Sequence, residues 1–266
     1  MTEEKKDTEP LNSLKAPLKG ENMIAVVSGS HGEGKTFLTI TLAQALGKLK
    51  RKTLVFDADN GLANTKKQLG LSDITDLDAV IYGTKSLNQI IHNYEKGHFD
   101  LICGNSDSSG LLTMSIGRLQ ILSDDLDILS QNYAYTILDV SAGLTNPSKV
   151  LTGRAQRVIV LCTPEARTVI ESYALIRLIK LHFPRVKINI VVNKVNSQKE
   201  GERTYHLIAE ACKKFLETVP TLLGVIRNDT RVRDSIKNQT TMINRYPESE
   251  AAHDVMLIAK RIAENG

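Results

Sequence analysis

Short apolar runs separated by longer segments with helical periodicity constrain the fold of this chain most strongly. Two runs, RVIVLC and INIVVN, are apolar on consecutive residues, as expected for strands in a sheet that is covered on both faces. The pattern predicts strands at 24–27, 53–56, 101–103, 135–140, 157–162, 186–192 and 222–226, and helices at 35–49, 117–130, 168–182, 201–218 and 249–264. This alternation indicates an α/β fold, a doubly wound and mostly parallel sheet with helices on both faces.

Length and composition favour one large globular domain. The chain has 266 residues, of which 41% are hydrophobic and 24% charged, enough for a substantial core. Residues 1–21 are polar and aperiodic, so we expect a flexible N-terminal tail followed by a single domain at 22–266. The sequence contains neither a membrane-spanning apolar run nor a secretory h-region, which predicts a cytoplasmic protein.

The cysteines and the net charge exclude some functions and leave others open. Cys103, Cys162 and Cys212 lie far apart in the sequence and form no C-x-x-C pair, so they suggest neither disulfides nor a cysteine metal site. The formal net charge of +4 is too small to establish an anionic partner such as nucleic acid or lipid. The cysteines are expected to be buried thiols.

The segment GSHGEGKT at residues 29–36 lies between the first predicted strand and the first predicted helix. It matches G-x-x-x-x-G-K-[ST], a loop whose backbone N–H groups wrap a phosphate at a helix N-terminus. Lys35 would reach the β- and γ-phosphates and the Thr36 hydroxyl would bind Mg²⁺. A chance match is the alternative, but the flanking strand and helix favour the phosphate loop. The predicted nucleotide-binding residues here are Gly29, Ser30, His31, Gly32, Glu33, Gly34, Lys35, Thr36 and Phe37.

Two further predicted strands deliver carboxylates at their carboxyl ends. Asp59 follows the second strand and is better placed than Asp57 to orient an attacking water or to hold Mg²⁺ through water. A solvated turn is an equally good local interpretation of this segment. Asp139 ends a strand of the Walker-B form, which places it near Mg²⁺, and the amide of Gly143 would contact the γ-phosphate.

Three longer segments carry a resemblance to a known family. DADNGLANTKKQLGL, TPEARTVIESYALIRLIK and GVIRNDTRVRDSIKNQTTM resemble segments of the MinD/ParA family of P-loop ATPases, most closely its flagellar-number-regulator branch (FlhG/FleN). The resemblance implies a MinD-like nucleotide-binding domain that uses ATP or ADP with Mg²⁺. It also implies that Lys35 and Asp59 serve catalysis, that Thr36, Asp59 and Asp139 serve the metal, and that Asn193 reads the adenine.

The phosphate loop departs from the family pattern at two positions. The family places a lysine where this chain has Ser30, and a glycine where it has His31. In the family, that lysine reaches the nucleotide of the partner subunit in an ATP-sandwich dimer. Ser30 carries no charge, so we expect nucleotide binding to survive, with slow hydrolysis and a weak ATP-dependent homodimer. Compensation by a protonated His31 is the less favoured alternative.

The resemblance implies a regulatory switch that controls the number or placement of flagella or of another polar or cell-surface structure. By the same resemblance, its protein partners would be a flagellar GTPase or a transcriptional regulator. A degenerate nucleotide-binding scaffold without turnover and an ATP-dependent metabolic ligase on the same fold remain alternatives. An iron–sulfur carrier would need paired cysteines, which the sequence lacks.

Two surface features bear on membrane and nucleic-acid binding. The last predicted helix carries Val255, Ile258, Ala259 and Ile262 on one face, which we interpret as core. Attachment to the periphery of the inner membrane is therefore the less favoured alternative. A basic cluster is interpreted as a solvated helix face, with contact to the nucleotide or to an acidic partner as the less favoured alternative. Nucleic acid is an unlikely partner because it would need a larger positive surface. The cluster consists of Arg227, Arg231, Arg233 and Lys237.

Overall fold

Eight strands form one sheet in the computed structural model, which describes residues 22–59, 64–72, 74–104 and 110–264. The spatial order is β3-β4-β2-β5-β1-β6-β7-β8, and all neighbouring strands are parallel except the β3–β4 pair. The predicted doubly wound, mostly parallel sheet is confirmed. The strands are β1 Met23–Ser28, β2 Thr53–Ala58, β3 His92–Tyr94, β4 Phe99–Ile102, β5 Tyr135–Val140, β6 Arg157–Cys162, β7 Lys187–Val195 and β8 Thr221–Arg227.

The helices include the five that periodicity predicts, with ends shifted by up to a few residues. The sequence did not predict the shorter helices, because four to nine residues show too little of the helical periodicity to be recognised. The helices are α1 Lys35–Lys48, α2 Asn64–Leu69, α3 Asp78–Ile81, α4 Gly110–Thr113, α5 Ile116–Ser130, α6 Asn146–Arg154, α7 Ala166–His182, α8 Gln198–Leu216, α9 Arg231–Lys237, α10 Met242–Arg245 and α11 Glu250–Glu264, with 3₁₀ turns at Leu87–Ile90 and Glu95–Gly97.

Two apolar layers cover the two faces of the sheet. Successive residues of a strand point to opposite faces, so Val27 packs in one layer and Val26 in the other. The first layer is completed by side chains of α5, α6, α7 and α8, and the second by α1, α10 and α11. This double coverage explains why the central strands are apolar on consecutive residues, and it leaves the ends of the strands as the place for a ligand.

The apolar face of α11 belongs to the second core layer. Val255, Ile258, Ala259 and Ile262 are buried, and α11 packs mainly against α1 and β8. The interpretation of this face as core is therefore confirmed. Across the residues that the structure describes, no helix combines the length and apolar character that a membrane span needs.

One strand of the sheet, the edge strand β3, was not predicted from the sequence. Its three residues run antiparallel to β4, with Asn93 opposite Asp100. A strand this short has no recognisable alternation. The predicted tail at 1–21 lies outside the described residues, as do residues 60–63 of the DADNGLAN segment, so the division into a tail and one domain stays a prediction.

Candidate nucleotide-binding site

The strand order brings the predicted phosphate loop and the predicted acids to one edge of the sheet. β5 lies between β1 and β2, and in the parallel ladders Asp139 is opposite both Val26 of β1 and Asp57 of β2. The loop at 29–34 leaves the carboxyl end of β1 directly beside them. Because parallel strands expose their carboxyl ends at one edge, this edge collects the polar groups that a ligand would meet.

The loop depends on glycine at two positions. Gly32 and Gly34 have φ angles of 83° and 100°, in the left-handed region that favours glycine. Gly34 is the N-cap of α1, and a Cβ atom there would lie 2.6 Å from Nδ2 of Asn193. A cap residue without a side chain leaves the first N–H groups of α1 to an anion.

Lys35, the predicted phosphate-binding lysine, is buried at the start of α1. Its Nζ donates a hydrogen bond to Oγ of Ser28 over 3.1 Å, and that hydroxyl donates in turn to the carbonyl oxygen of Ser30 over 2.5 Å. None of the described carboxylates forms an ion pair with Lys35. A buried ammonium group without an anionic partner is well suited to bind phosphate oxygens.

Three buried carboxylates lie at the ends of β2 and β5 with incomplete hydrogen bonding. Oγ1 of Thr36 donates to Oδ2 of Asp139 over 2.5 Å, and the backbone N–H of Asp59 donates to Oδ1 of Asp57 over 3.1 Å. Within the described part of the chain, Asp57 Oδ2, Asp59 Oδ1 and Asp139 Oδ1 have no hydrogen-bond partner. Buried carboxylate oxygens without partners are unfavourable unless a cation or a donor completes them.

The pKa values of these acids also indicate that a cation would stabilise them. Burial raises the pKa of Asp139 well above its usual range, and the nearby Asp57 carboxylate raises it further, against the opposing effects of Thr36 and Lys35. Burial likewise raises the pKa of Asp57. A cation placed here would lower both pKa values and favour the ionised acids.

The donor set fits Mg²⁺ bound together with phosphates. The described residues contain no group of three or more His, Cys, Asp or Glu side chains able to hold a metal ion alone. Mg²⁺ usually takes one or two protein oxygens and completes its shell with phosphates and water. The hydroxyl of Thr36 and the carboxylates of Asp139 and Asp59 supply oxygens of that kind, so these residues fit the predicted metal.

Two residues at the end of β7 form a clamp on the backbone of the phosphate loop. Nδ2 of Asn193 donates to the carbonyl oxygen of Glu33 over 2.8 Å, and Nζ of Lys194 donates to the carbonyl oxygen of Gly32 over 2.7 Å. Lys194 has a φ of 58° at an irregularity in the β7–β8 ladder, and its N–H donates to Oδ1 of Asn193 over 2.9 Å. These two hydrogen bonds restrict the backbone of residues 32 and 33. Sequence reasoning named Asn193 but missed Lys194.

A cavity of about 320 Å³ joins the loop to the turn between β8 and α9. Its lining includes His31, Lys35, Asp59 and Asn193 together with apolar Ile226 and Val232. This volume is at the lower end of the range of roughly 300 to 1,000 Å³ for small-molecule sites. The cavity therefore combines charged groups, including Arg227 of β8 and Arg233 of α9, with the apolar surface of Ile226 and Val232.

The remaining predicted residues occupy different surroundings. Phe37 packs in the α1 core layer and also lines the cavity, while Gly29 packs against Glu171 of α7. The N–H of Gly143 donates to the carbonyl oxygen of Ser28 over 3.1 Å. Its predicted contact with the γ-phosphate stays a prediction and requires that this bond be given up.

Ser30 and Glu33 interact within the loop. Oγ of Ser30 donates to Oε1 of Glu33 over 2.7 Å, so the residue in place of the family lysine faces a carboxylate of its own loop. Glu33 is only 2% exposed, and burial raises its pKa to about 7. His31 is exposed. The sequence singled out the lost lysine but gave no sign of the Ser30–Glu33 bond.

The basic cluster is partly neutralised by acids of the same chain. The guanidinium group of Arg227 binds Asp254 through two nitrogens, at 2.9 Å and 2.8 Å, and also bonds to Glu250, which ties β8 to α11. Arg231 bonds to Asp229 over 2.8 Å. The interpretation as a solvated helix face is therefore wrong for Arg227, whose carboxylate partner Asp254 is buried.

Comparison with known proteins agrees with this geometry. The family model for the CobQ/CobB/MinD/ParA nucleotide binding domain matches residues 24–242, which is most of the chain. The chain belongs to this family. The matched range includes the phosphate loop, the buried acids and Asn193.

Individual MinD/ParA relatives support the assignment. The antiactivator FleN of Pseudomonas aeruginosa is 28% identical over 244 residues, covering 90% of this chain and 85% of the relative. The flagellum site-determining protein YlxH of Helicobacter pylori is 26% identical over 238 residues, covering 89% and 80%. The septum site-determining protein MinD of Pyrococcus horikoshii, solved with Mg-ADP, shares the fold with a TM-score of 0.78 at 22% identity, covering 92% of this chain and 96% of that one.

Proposed function

We propose that this protein is an ATP-binding, slowly hydrolysing MinD-like switch. The observation that carries the proposal is the hydrogen bond from Thr36 to Asp139, which belongs to a group of buried carboxylates with incomplete hydrogen bonding. The buried Lys35, which has no anionic partner among the described residues, lies next to this group. Such an arrangement is unfavourable until a polyanion and its counter-cation complete it. The resemblance of the chain to a MinD solved with Mg-ADP supports the same ligand class.

Each residue has a proposed task in nucleotide binding. The N–H groups of the loop and the ammonium group of Lys35 bind phosphate oxygens, and the apolar surface of the cavity takes the base. The hydroxyl of Thr36 and the carboxylate of Asp139 would hold Mg²⁺, with Asp59 contacting it through water. When bound, Mg²⁺ neutralises phosphate charge. Asn193 keeps one donor and one acceptor free of the loop contacts, the set that an adenine edge requires.

Hydrolysis is proposed to be slow. Asp59 has an unpartnered oxygen that can orient an attacking water. However, the hydroxyl of Ser30 is bonded to Glu33 and carries no charge to stabilise negative charge that develops on the phosphates. The same observation favours a second candidate, a nucleotide-binding scaffold without turnover.

The regulatory role rests on the relatives. One is described as an antiactivator and another as a flagellum site-determining protein, and each matches at least 89% of this chain. We therefore propose control of the number or placement of flagella or of another polar or cell-surface structure, through a protein partner such as a transcriptional regulator or a flagellar GTPase. ATP-dependent self-association of the chain would be weak.

Calorimetry and a turnover assay test the biochemical part. Lys35→Ala should lose most of the affinity for Mg-ADP, because a charge-assisted contact is removed. Lys48→Ala, an exposed lysine on the same helix, is the matched control and should bind like the natural protein. Asp59→Ala should bind nucleotide but hydrolyse more slowly, because orienting water affects the reaction and not binding. Unchanged affinity in Lys35→Ala would contradict the proposal, and absent turnover in the natural protein would favour the scaffold.

A cellular experiment tests the regulatory part. Cells of the source organism that lack the protein should show an altered number or position of flagella or related surface structures by electron microscopy. Expression of the natural chain should restore the normal pattern, and Lys35→Ala, produced at the same level, should not. An unaltered pattern in cells lacking the protein would contradict the flagellar role and leave nucleotide binding intact.

A further inference from the structure

Glu33 places a carboxylate inside a loop that is built to bind anions. Its Oε1 accepts a hydrogen bond from Ser30, while Oε2 is buried and has no partner among the described residues. Its backbone belongs to the same turn whose N–H groups would face the phosphates. The carboxylate belongs to the same loop as the N–H groups proposed to bind phosphate, so a negative charge on it opposes binding of the proposed ligand.

The groups that surround Glu33 do not neutralise it. From α1, Lys35 attracts the carboxylate, and from α7, Glu171 repels it. Glu171 is itself paired with Arg167, over 2.7 Å. At the end of β6, burial keeps the Cys162 thiol protonated by raising its pKa to about 12. From β7, Lys194 donates a hydrogen bond to the carbonyl oxygen of Gly32 and not to the Glu33 carboxylate. His31 lies two residues before Glu33 in the exposed part of the loop.

Resting on the proposed function, we propose that binding of nucleotide phosphates in this loop is coupled to the uptake of one proton by the Glu33 carboxylate. The geometric basis is the burial of Glu33 and of its Oε2 atom, which has no hydrogen-bond partner among the described residues. Burial raises the pKa of Glu33 to about 7, so the free protein holds both forms near neutral pH. Phosphate charge in the same loop favours the neutral form and raises that pKa further.

The sign of the effect follows from linkage. Below neutrality, Glu33 is already protonated in the free protein and binding takes up no proton. As the pH rises above 7, binding must add the proton, so nucleotide affinity falls, by up to about tenfold per pH unit while the bound form stays protonated. Glu33→Gln mimics the neutral carboxyl and should remove this part of the pH dependence.

Calorimetric titration with Mg-ADP measures the coupling directly. Titrations at about pH 6 and about pH 8, each in two buffers with different heats of ionisation, give the number of protons taken up. The natural protein and Glu33→Gln are compared, so that protons from the nucleotide itself cancel. Glu202→Gln, on the exposed face of α8, is the matched control for the substitution, and His31→Gln separates the imidazole from the carboxyl.

Near pH 8, the natural protein, Glu202→Gln and His31→Gln should each take up close to one proton more than Glu33→Gln. Near pH 6, all four should agree. Ser30→Ala removes a hydrogen bond that lowers the pKa of Glu33, so its proton uptake should begin at a higher pH. Equal proton counts in the natural protein and Glu33→Gln near pH 8, or loss of the difference in His31→Gln, would overturn the coupling. Absence of nucleotide binding at both pH values in the natural protein would overturn the proposed function instead.

Discussion

Replacing Asp57 with asparagine should stabilise the protein in the absence of nucleotide. Asp57 and Asp139 are fully buried and directly opposite each other on neighbouring strands, and burial raises the pKa of both. Asparagine has the same shape and keeps an oxygen to accept the 3.1 Å bond from the N–H of Asp59. The substitution removes the negative charge that raises the pKa of Asp139, so the repulsion between two buried acids is lost.

The expected gain follows from the unpartnered oxygen of Asp57. A buried polar group without a partner costs about 1–3 kcal/mol, and more when it is charged. The melting temperature of a chain of this size changes by roughly 2–4 °C per kcal/mol, so we expect an increase of about 2–12 °C near pH 8. The pKa of Asp57 is raised in the folded protein. Ionisation of this acid therefore destabilises the natural protein as the pH rises through that pKa. The difference between the two proteins should therefore shrink in acid.

Thermal unfolding with and without Mg-ADP tests this reasoning. The bound cation stabilises the ionised acids of the natural protein, so the difference in melting temperature should narrow when Mg-ADP is present. Asp125→Asn, an exposed acid on α5, should leave the melting temperature unchanged. An equal or lower melting temperature for Asp57→Asn near pH 8, or a difference that does not depend on pH, would refute the argument.

Two further variants test the loop. Gly34→Ala should lower the free energy of unfolding by about 1–3 kcal/mol and weaken Mg-ADP binding, because φ is 100° and the new Cβ would lie 2.6 Å from Nδ2 of Asn193. Gly117→Ala, where a Cβ meets nothing, is the control, and full affinity in Gly34→Ala would contradict the steric argument. Ser30→Lys combined with His31→Gly restores the family loop and should strengthen ATP-dependent self-association in light scattering or raise turnover. No change in either property, together with brisk hydrolysis by a dimer of the natural protein, would move the role of the lysine to another residue, with His31 the first suspect.

The parts of the fold that the sequence predicts are those encoded locally. The strand that ends at Ser28, the glycine-bearing loop and the helix that begins at Lys35 each leave a mark within a few residues. The same holds for the apolar run that ends in Asp139. The helix α6 was missed although Thr145 caps it and Pro147 follows in its first turn, a start signal that its nine residues were too short to reinforce.

The parts of the site that were missed depend on contacts between distant segments. Asn193 and Lys194 hold loop carbonyls that lie 160 and 162 residues earlier in the chain. Asp57 was ranked below Asp59 because it precedes the strand end, yet only the register of β2 against β5 shows that it faces Asp139. No local pattern contains a register, so these pairings could not be read from composition or periodicity.

The clamp from β7 has a consequence for the speed of nucleotide exchange. Because Lys194 and Glu33 fix both ends of the Asn193 amide, its rotation is already restricted before any base arrives. The proposed adenine contact would then form without a further loss of side-chain entropy. Release of the base would likewise leave the loop intact, so nucleotides could be exchanged without rebuilding the phosphate cradle at each cycle. In the proposed switch, exchange of the nucleotide would therefore leave the structure of the binding loop unchanged.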